Sequence, residues 1–199
     1  MSGPTRRIGA EDSQSRAHLL DVAEQMLLAE GAAAVTSRRL GRRAGVSSQL
    51  VHYYFRTMDD LFIELFRRRA EEGLRRVEQA LAVDGTLTAI WDLTSNPAGA
   101  LFNIEFAALA NHRKALQAEI AEFGERYRRL QHDAVAARFA ALGVPEEVCP
   151  PTVVLLALTG MAQIMSIEAN FGFTTGHDEA VTFTRQLLER VEAGEWGVG

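Results

Sequence analysis

The chain has one cysteine, Cys149, among 199 residues, so no disulfide can close within it and no thiolate cluster can hold zinc. A reducing compartment suits such a chain, and Cys149 is expected to be a small core or loop residue. Its 5 prolines are widely spread, and neither a low-complexity tract nor an internal repeat interrupts an ordinary globular composition of 47% hydrophobic and 24% charged residues. The most apolar segment, Val153 to Ile167, is broken by Thr159, Gly160, Gln163 and Ser166 and falls short of the roughly 20 residues that span a bilayer, so it is expected to be a buried helix. The polar stretch Met1 to Arg16 lacks the apolar run of a signal peptide, and a cytoplasmic location without membrane association is expected. Also missing are a glycine-rich cofactor loop, a nucleophile elbow and a metal-ligand signature, so no cofactor, no metal and no enzymatic activity are expected.

Negative charge prevails overall, at −5, but unevenly. Residues 1 to 58 hold eight arginines against five acids, a balance of +3, which leaves −8 for the remainder. Between Thr36 and Met58 there are five arginines and no acid, and a polyanion would be steered to that stretch.

No segment alternates apolar and polar residues in the manner of a strand, and helical spacing dominates. The chain is therefore expected to be all-α. A first helix is predicted from Gln14 to Glu30, with Leu19, Leu20, Ala23, Met26 and Leu27 on one face and Gly31 as its stop. Residues 1–13 are expected to form a flexible arm. Thr36 should cap a helix over Ser37 to Ala44, ended by Gly45, and Ser47 should cap another from Ser48 to about Tyr54. Thr57 should cap a long helix, Met58 to about Ala82. Breaks at Asp84-Gly85-Thr86 and Ser95-Asn96-Pro97 precede helices predicted over 97–112, 113–142, 152–171 and 178–193.

Two short helices joined by Ala44-Gly45-Val46-Ser47, whose glycine can take positive φ, have the arrangement of a helix-turn-helix. A recognition helix needs polar side chains at its exposed N-terminal end for base edges and phosphate donors beside them. Ser48, Gln49 and His52 suit the first task, Gln49 being able to present a bidentate donor-acceptor pair to adenine. Thr36, Arg38, Ser47, Tyr53 and Tyr54 suit the second through hydroxyls, guanidinium and helix N-termini. Of Leu50 and Val51 one should be a core residue, as should Phe55.

Across Leu19-Leu20-Asp21-Val22-Ala23-Glu24, Glu30-Gly31, Ala44-Gly45-Val46-Ser47, the aromatic cluster ending in Phe55, and Asp60-Leu61-Phe62, the sequence resembles the DNA-binding domain of the TetR family of transcriptional regulators. Roughly a quarter of the chain carries the resemblance. It implies a homodimer that binds a palindromic double-stranded operator, usually as a repressor, and it places the counterparts of Ser48, Gln49, Leu50, His52, Tyr53 and Tyr54 at the major groove or its phosphate walls. One position departs from the family: Met58 stands where most relatives have a lysine that meets a backbone phosphate.

The domain organisation expected is an N-terminal three-helix DNA-binding domain at 14–60, joined by the long helix to a helical-bundle domain for ligand binding and dimerisation at 61–199. Large adaptable side chains in the latter, Trp91, Phe102, Phe106, Phe123, Tyr127, Met161 and Met165, suit a pocket for a small, largely apolar effector, with Glu105 as a polar member. Asn103, Asn111, His112, Gln131, His132 and Gln163 are further candidates to orient it. For a dimer interface of four helices the expected residues are Val154 and Leu158 of the apolar helix and Val181, Thr184, Leu188 and Val191 of the last, with Phe183 and Leu187 flanking. Rival readings are a DNA-binding regulator without a small-molecule ligand and a helical-bundle enzyme using Glu105 with His112.

Overall fold

The structure of the protein, a computed structural model, describes residues 5–82, 86–147 and 149–195, and of residues 5–13, 97 and 98 the backbone alone. Among the described residues there are nine α-helices and no strand. They are α1 (Thr5–Glu30), α2 (Ser37–Ala44), α3 (Ser48–Tyr54), α4 (Met58–Leu81), α5 (Thr86–Thr94), α6 (Pro97–Ala110), α7 (Lys114–Leu142), α8 (Pro151–Asn170) and α9 (His177–Glu192), with a 3-10 turn at Ala32–Ala34. Most boundaries fall within a residue or two of those that caps and breakers predict. Two differ more: α1 runs back to Thr5, through most of the expected arm, and α5 fills a stretch that the sequence marks only by the breaks on either side. Residues 1–4 of that arm lie outside the described residues.

The chain divides into two compact units, one made of residues 1–69 and 104–120, the other of 70–103 and 121–199. The division does not follow a boundary at residue 60, because the later part of α6 and the start of α7 pack with the N-terminal helices.

In the first unit α1 buries Leu19, Leu20, Ala23, Met26 and Leu27, α2 contributes Leu40, α3 contributes Val51, and Phe55 closes the core behind it. Leu61, Phe62, Leu65 and Phe66 of α4 are buried as well, and Phe66 meets Phe106 of α6 with ring centroids 5.4 Å apart. Ion pairs fix α1 to α4: Arg68 bonds Asp21 at 2.6 Å and Glu24 at 2.8 Å, while Arg69 reaches Glu24 at 3.2 Å. Arg113, just ahead of α7, donates to Asp59 at 2.7 Å and lies over the Phe62 ring. Such partly exposed pairs contribute about 0.2–1 kcal/mol each, so the buried apolar face carries most of the packing.

The core of the second unit joins Leu87, Ile90 and Trp91 of α5, Val135 and Phe139 of α7, Val144, Leu155, Leu158 and Ala162 of α8, and Leu188 of α9. Half-buried Cys149 packs against it. Helix α5 sits at the centre of this cluster. Glu192 of α9 accepts the Leu87 amide at 2.6 Å, satisfying a donor of the first turn of α5, while its own carbonyl takes Arg138 at 3.1 Å.

Helix α8 is long and apolar enough to cross a membrane by length and composition alone. Within the single chain it is covered on one side: Leu155, Leu158 and Ala162 face the core, while Val153, Leu156 and Ile164 are at least half exposed.

Candidate nucleic-acid interface

Local chemistry sets the geometry of α2 and α3. Thr36 is extended and its hydroxyl accepts the Arg39 amide at 3.3 Å, and Ser47 does the same for Leu50 at 3.2 Å, so both predicted caps form. Gly45 closes α2 in the left-handed region, at φ 72° and ψ 24°, a conformation that a side chain would strain. Gly41 matters for a different reason, which the sequence pattern does not reveal. A Cβ there would lie 2.9 Å from the Val46 carbonyl oxygen and 3.1 Å from the Ser48 amide nitrogen, so only glycine lets α2 approach the turn this closely.

Helix α3 is held from below by Val51 and Phe55, both buried and four residues apart, and Arg16 of α1 lies over the Phe55 ring at 5.6 Å. Its opposite face is open. Ser48, Gln49, His52 and Tyr53 form one exposed stripe, Tyr53 at 69% exposure, with Leu50 and Tyr54 half-buried at its edges. The Tyr53 and Tyr54 rings meet edge to face at 5.1 Å. Tyr53 thus shares its exposed face with two hydroxyl or amide side chains and an imidazole. Thr36, Arg38 and Ser47 are exposed beside this stripe. The residues singled out for DNA contact thus lie on α3 and at the starts of α2 and α3, all exposed or half-buried, and Val51 is the core member of the Leu50–Val51 pair.

The arginines do not all play one part. Arg39 and Arg43 both bond the carboxylate of Glu30, at the end of α1, and line an open concavity with Met26 and Arg42. The hydrogen bond from Arg39 holds the Glu30 carboxyl below its ordinary range, with the Arg43 bond helping. A lowered pKa means that this brace is complete above the ordinary carboxylate range and is lost only as pH falls through the lowered value. At the start of α4 Thr57 and Asp60 form a reciprocal capping box: the Thr57 amide donates to Asp60 at 3.0 Å, and the Asp60 amide to the Thr57 hydroxyl at 3.1 Å. Met58, half-buried, is the first residue of that helix.

Residues expected around an effector separate between the two units. Trp91 and Phe102 are buried, Phe123 and Tyr127 pair on α7 with ring centroids 5.5 Å apart, and Met161 and Met165 pack against the second core, the Met161 sulfur accepting the Thr184 hydroxyl at 3.2 Å. Glu105 and Phe106 belong to the first unit, where Phe106 is occupied by Phe66 and the Glu105 carboxylate accepts the Ala32 amide at 3.3 Å. The periodicity of α6 could not announce this, since the helix is apolar on most of its faces. Gln131, a polar candidate on α7, is 1% exposed.

The stripe expected to meet a second copy also turns out differently. Leu158, Thr184 and Leu188 are buried within the one chain and Val154, Val181 and Val191 are packed beside them, so this set faces inwards. The face left open on α8 and α9 consists of Val153, Leu156 and Ile164 with Phe183 and Leu187.

Comparison with known proteins agrees with the geometry. The profile of the family described as "Bacterial regulatory proteins, tetR family" matches residues 19–65, the segment that contains α2, α3 and their supports. No curated protein matches the chain in sequence. Among solved structures, a TetR transcription regulator from Haloarcula marismortui shares 19% identity over 89% of this chain and 96% of its own, with a TM-score of 0.70. The regulator FadR from Bacillus subtilis, in complex with stearoyl-CoA, shares 15% over 89% and 98% with a TM-score of 0.66. A candidate transcriptional regulator from Saccharomonospora viridis, in complex with choline, shares 15% over 89% and 94% with a TM-score of 0.68. Identities this low establish the fold and no more.

Proposed function

We propose that this chain, a member of the tetR family of bacterial regulatory proteins by its residues 19–65, represses transcription as a homodimer on a palindromic operator and is released by a small, largely apolar effector. The observation that carries the proposal is the exposed stripe Ser48, Gln49, His52 and Tyr53, fixed on a short helix by two side-chain caps and by the Val51–Phe55 anchor. Within it Ser48, Gln49 and His52 read base edges in the major groove, and Thr36, Arg38, Ser47, Tyr53 and Tyr54 bind phosphates, with Leu50 against the groove wall. Residues 14–60 are its DNA-binding domain, and the remainder binds ligand and dimerises.

Dimerisation is supported by the open apolar face of α8 and α9. Val153, Leu156 and Ile164 recur along one side of α8, and Phe183 and Leu187 are four apart on α9. Exposed apolar residues of this kind meet their symmetry mates in an isologous interface and are thereby removed from water, which also accounts for α8 without a bilayer. A dimer of this kind meets two half-sites about one helical turn of DNA apart. Stearoyl-CoA and choline held by proteins of the same fold support an effector. That effector must prefer one spacing of the two DNA-binding heads, since only differential affinity shifts an equilibrium. The cytoplasm is where such a protein meets its operator.

Selection of bound sequences from random duplex DNA by the full-length protein tests this reading. A recovered palindrome with half-sites about ten base pairs apart is the expected result. Recovery of no preferred sequence, with binding that depends only on salt, would overturn it.

A further inference from the structure

We infer that the second unit receives its effector through an acceptor oxygen, a carboxylate or like anionic oxygen group on an otherwise apolar molecule, held by the N–H groups of Trp91 and Gln131 with Arg128 alongside. The inference rests on the effector-responsive part of the function proposed above.

Trp91 is 0% and Gln131 1% exposed, and in neither does the side-chain nitrogen have a hydrogen-bond partner. The Nη1 of Arg128 is likewise buried and unpartnered. A buried polar atom without a partner is rare in folded proteins because it loses its water and gains nothing, so a group of them calls for a missing partner. All three are donors. An indole or a guanidinium can only donate, and the Gln131 atom at issue is its amide nitrogen. What is missing is therefore an acceptor, and the neighbouring guanidinium charge favours an anionic one.

The spacing brings Arg128 and Gln131 to one face of α7, and Trp91 belongs to α5, which packs in the second core. Gln131 follows Arg128 by three residues and precedes Val135 by four, and Val135 belongs to the same packed cluster as Trp91. In the other direction Tyr127 and Phe123 continue the same line at intervals of four, their rings in contact and half-buried. A stripe of aromatic surface thus leads to the buried amide, with apolar Leu155, Leu158 and Ala162 in the cluster beyond. An apolar body with a terminal carboxylate matches this sequence of surfaces. A cationic head would face three donors, one of them a guanidinium.

The test uses the full-length protein with decanoate and decyltrimethylammonium, matched in tail and opposite in head, both below their micelle concentrations. Calorimetry and the melting temperature report binding, and operator DNA affinity is measured on the same samples. Decanoate should bind and raise the melting temperature while the ammonium probe does not. Gln131→Leu and Trp91→Phe, each of which removes an N–H while keeping bulk, should weaken decanoate by about tenfold, and Gln131→Glu by more. Should Gln131→Leu not fold, Trp91→Phe gives the same reading. Equal binding of both probes, decanoate binding that neither variant alters, or no decanoate binding would overturn the inference. If operator binding persists in that case, the regulator stands and only its effector chemistry is wrong. A folded protein that binds no DNA would overturn the reading beneath it.

Discussion

The Glu105 carboxylate of α6 accepts a hydrogen bond from the Ala32 amide, 3.3 Å away in the turn that leads into α2. Beside that turn Gly31 has φ 76° and ψ 168°, a region open to glycine almost alone, and a Cβ on it would lie 3.8 Å from the same carboxylate. Glu105 therefore steadies the entrance to the helix-turn-helix. Glu105→Ala should cost about 1–2 kcal/mol and speed hydrogen exchange at the Ala32 amide, whereas Glu105→Gln, which keeps an acceptor, should lose less. Exchange at Ala32 unchanged in Glu105→Ala would show that the bond contributes nothing.

Gly41 gives a prediction with a control in the same chain. Gly41→Ala sets a methyl 2.9 Å from the Val46 carbonyl oxygen, which is backbone and cannot step aside without moving α3. The expected loss is about 1–3 kcal/mol, with weaker DNA binding because the recognition helix is displaced. Gly124 on α7 is exposed, and a Cβ there meets nothing within 4 Å. Gly124→Ala should be stabilising by up to about 1 kcal/mol through helix propensity alone. Thermal unfolding of the two variants compares the effects directly.

Base reading and phosphate binding separate by salt. Gln49→Ala should cost roughly 1–3 kcal/mol on the best site and relax preference at one or two base pairs. Arg38→Ala should weaken all sequences alike and flatten the salt slope by about one unit. A uniform loss in both variants would mean that Gln49 reads no base.

The parts of the molecule legible from sequence are those governed by neighbours along the chain. Thr36, Ser47, Thr57 and Gly45 act on amides and carbonyls within a few residues, so their caps and the turn could be read directly. The resemblance to a family then supplied the role expected of the polar residues on α3. Illegible were contacts between residues far apart, such as Glu105 with Ala32, and orientations for which the helix offers no contrast. Helix α8 is apolar nearly all round, so nothing in its periodicity says that Leu158 turns inwards while Leu156 turns out. The central place of α5 has the same cause: Leu87, Ile90 and Trp91 sit in a nine-residue helix too short to show a pattern.

That orientation decides how the dimer should be tested. Leu156→Arg and Phe183→Arg place charge on the open face, at positions 55% and 65% exposed in one chain, and should dissociate a dimer while leaving each protomer folded. Leu158→Arg and Leu188→Arg bury a charge in the second core instead, and should unfold it at a cost of several kcal/mol. Sedimentation and circular dichroism distinguish these outcomes. A dimer unaffected by both Leu156→Arg and Phe183→Arg would remove this face from the interface.

Met58 stands at the first position of α4, where the helix dipole points its positive end outwards and where relatives of the family add a lysine. The capping box engages the amides of Thr57 and Asp60, leaving those of Met58 and Asp59 at the positive end for a phosphate to approach. Two carboxylates stand close by, but neither is unopposed: Asp60 accepts the Thr57 amide, and Asp59 is bonded to Arg113. The side-chain charge is what the chain lacks here. Met58→Lys should add one phosphate contact, raising DNA affinity by about 1 kcal/mol at low salt and steepening the dependence of log K on log salt by about 0.9. Since a phosphate carries no sequence, specific and non-specific DNA should gain alike. Met58 is also half-buried, and if its packing is its role, the substitution will lower the melting temperature and leave the salt slope as it was. Measuring that slope for both proteins on one operator decides whether DNA reaches the start of α4.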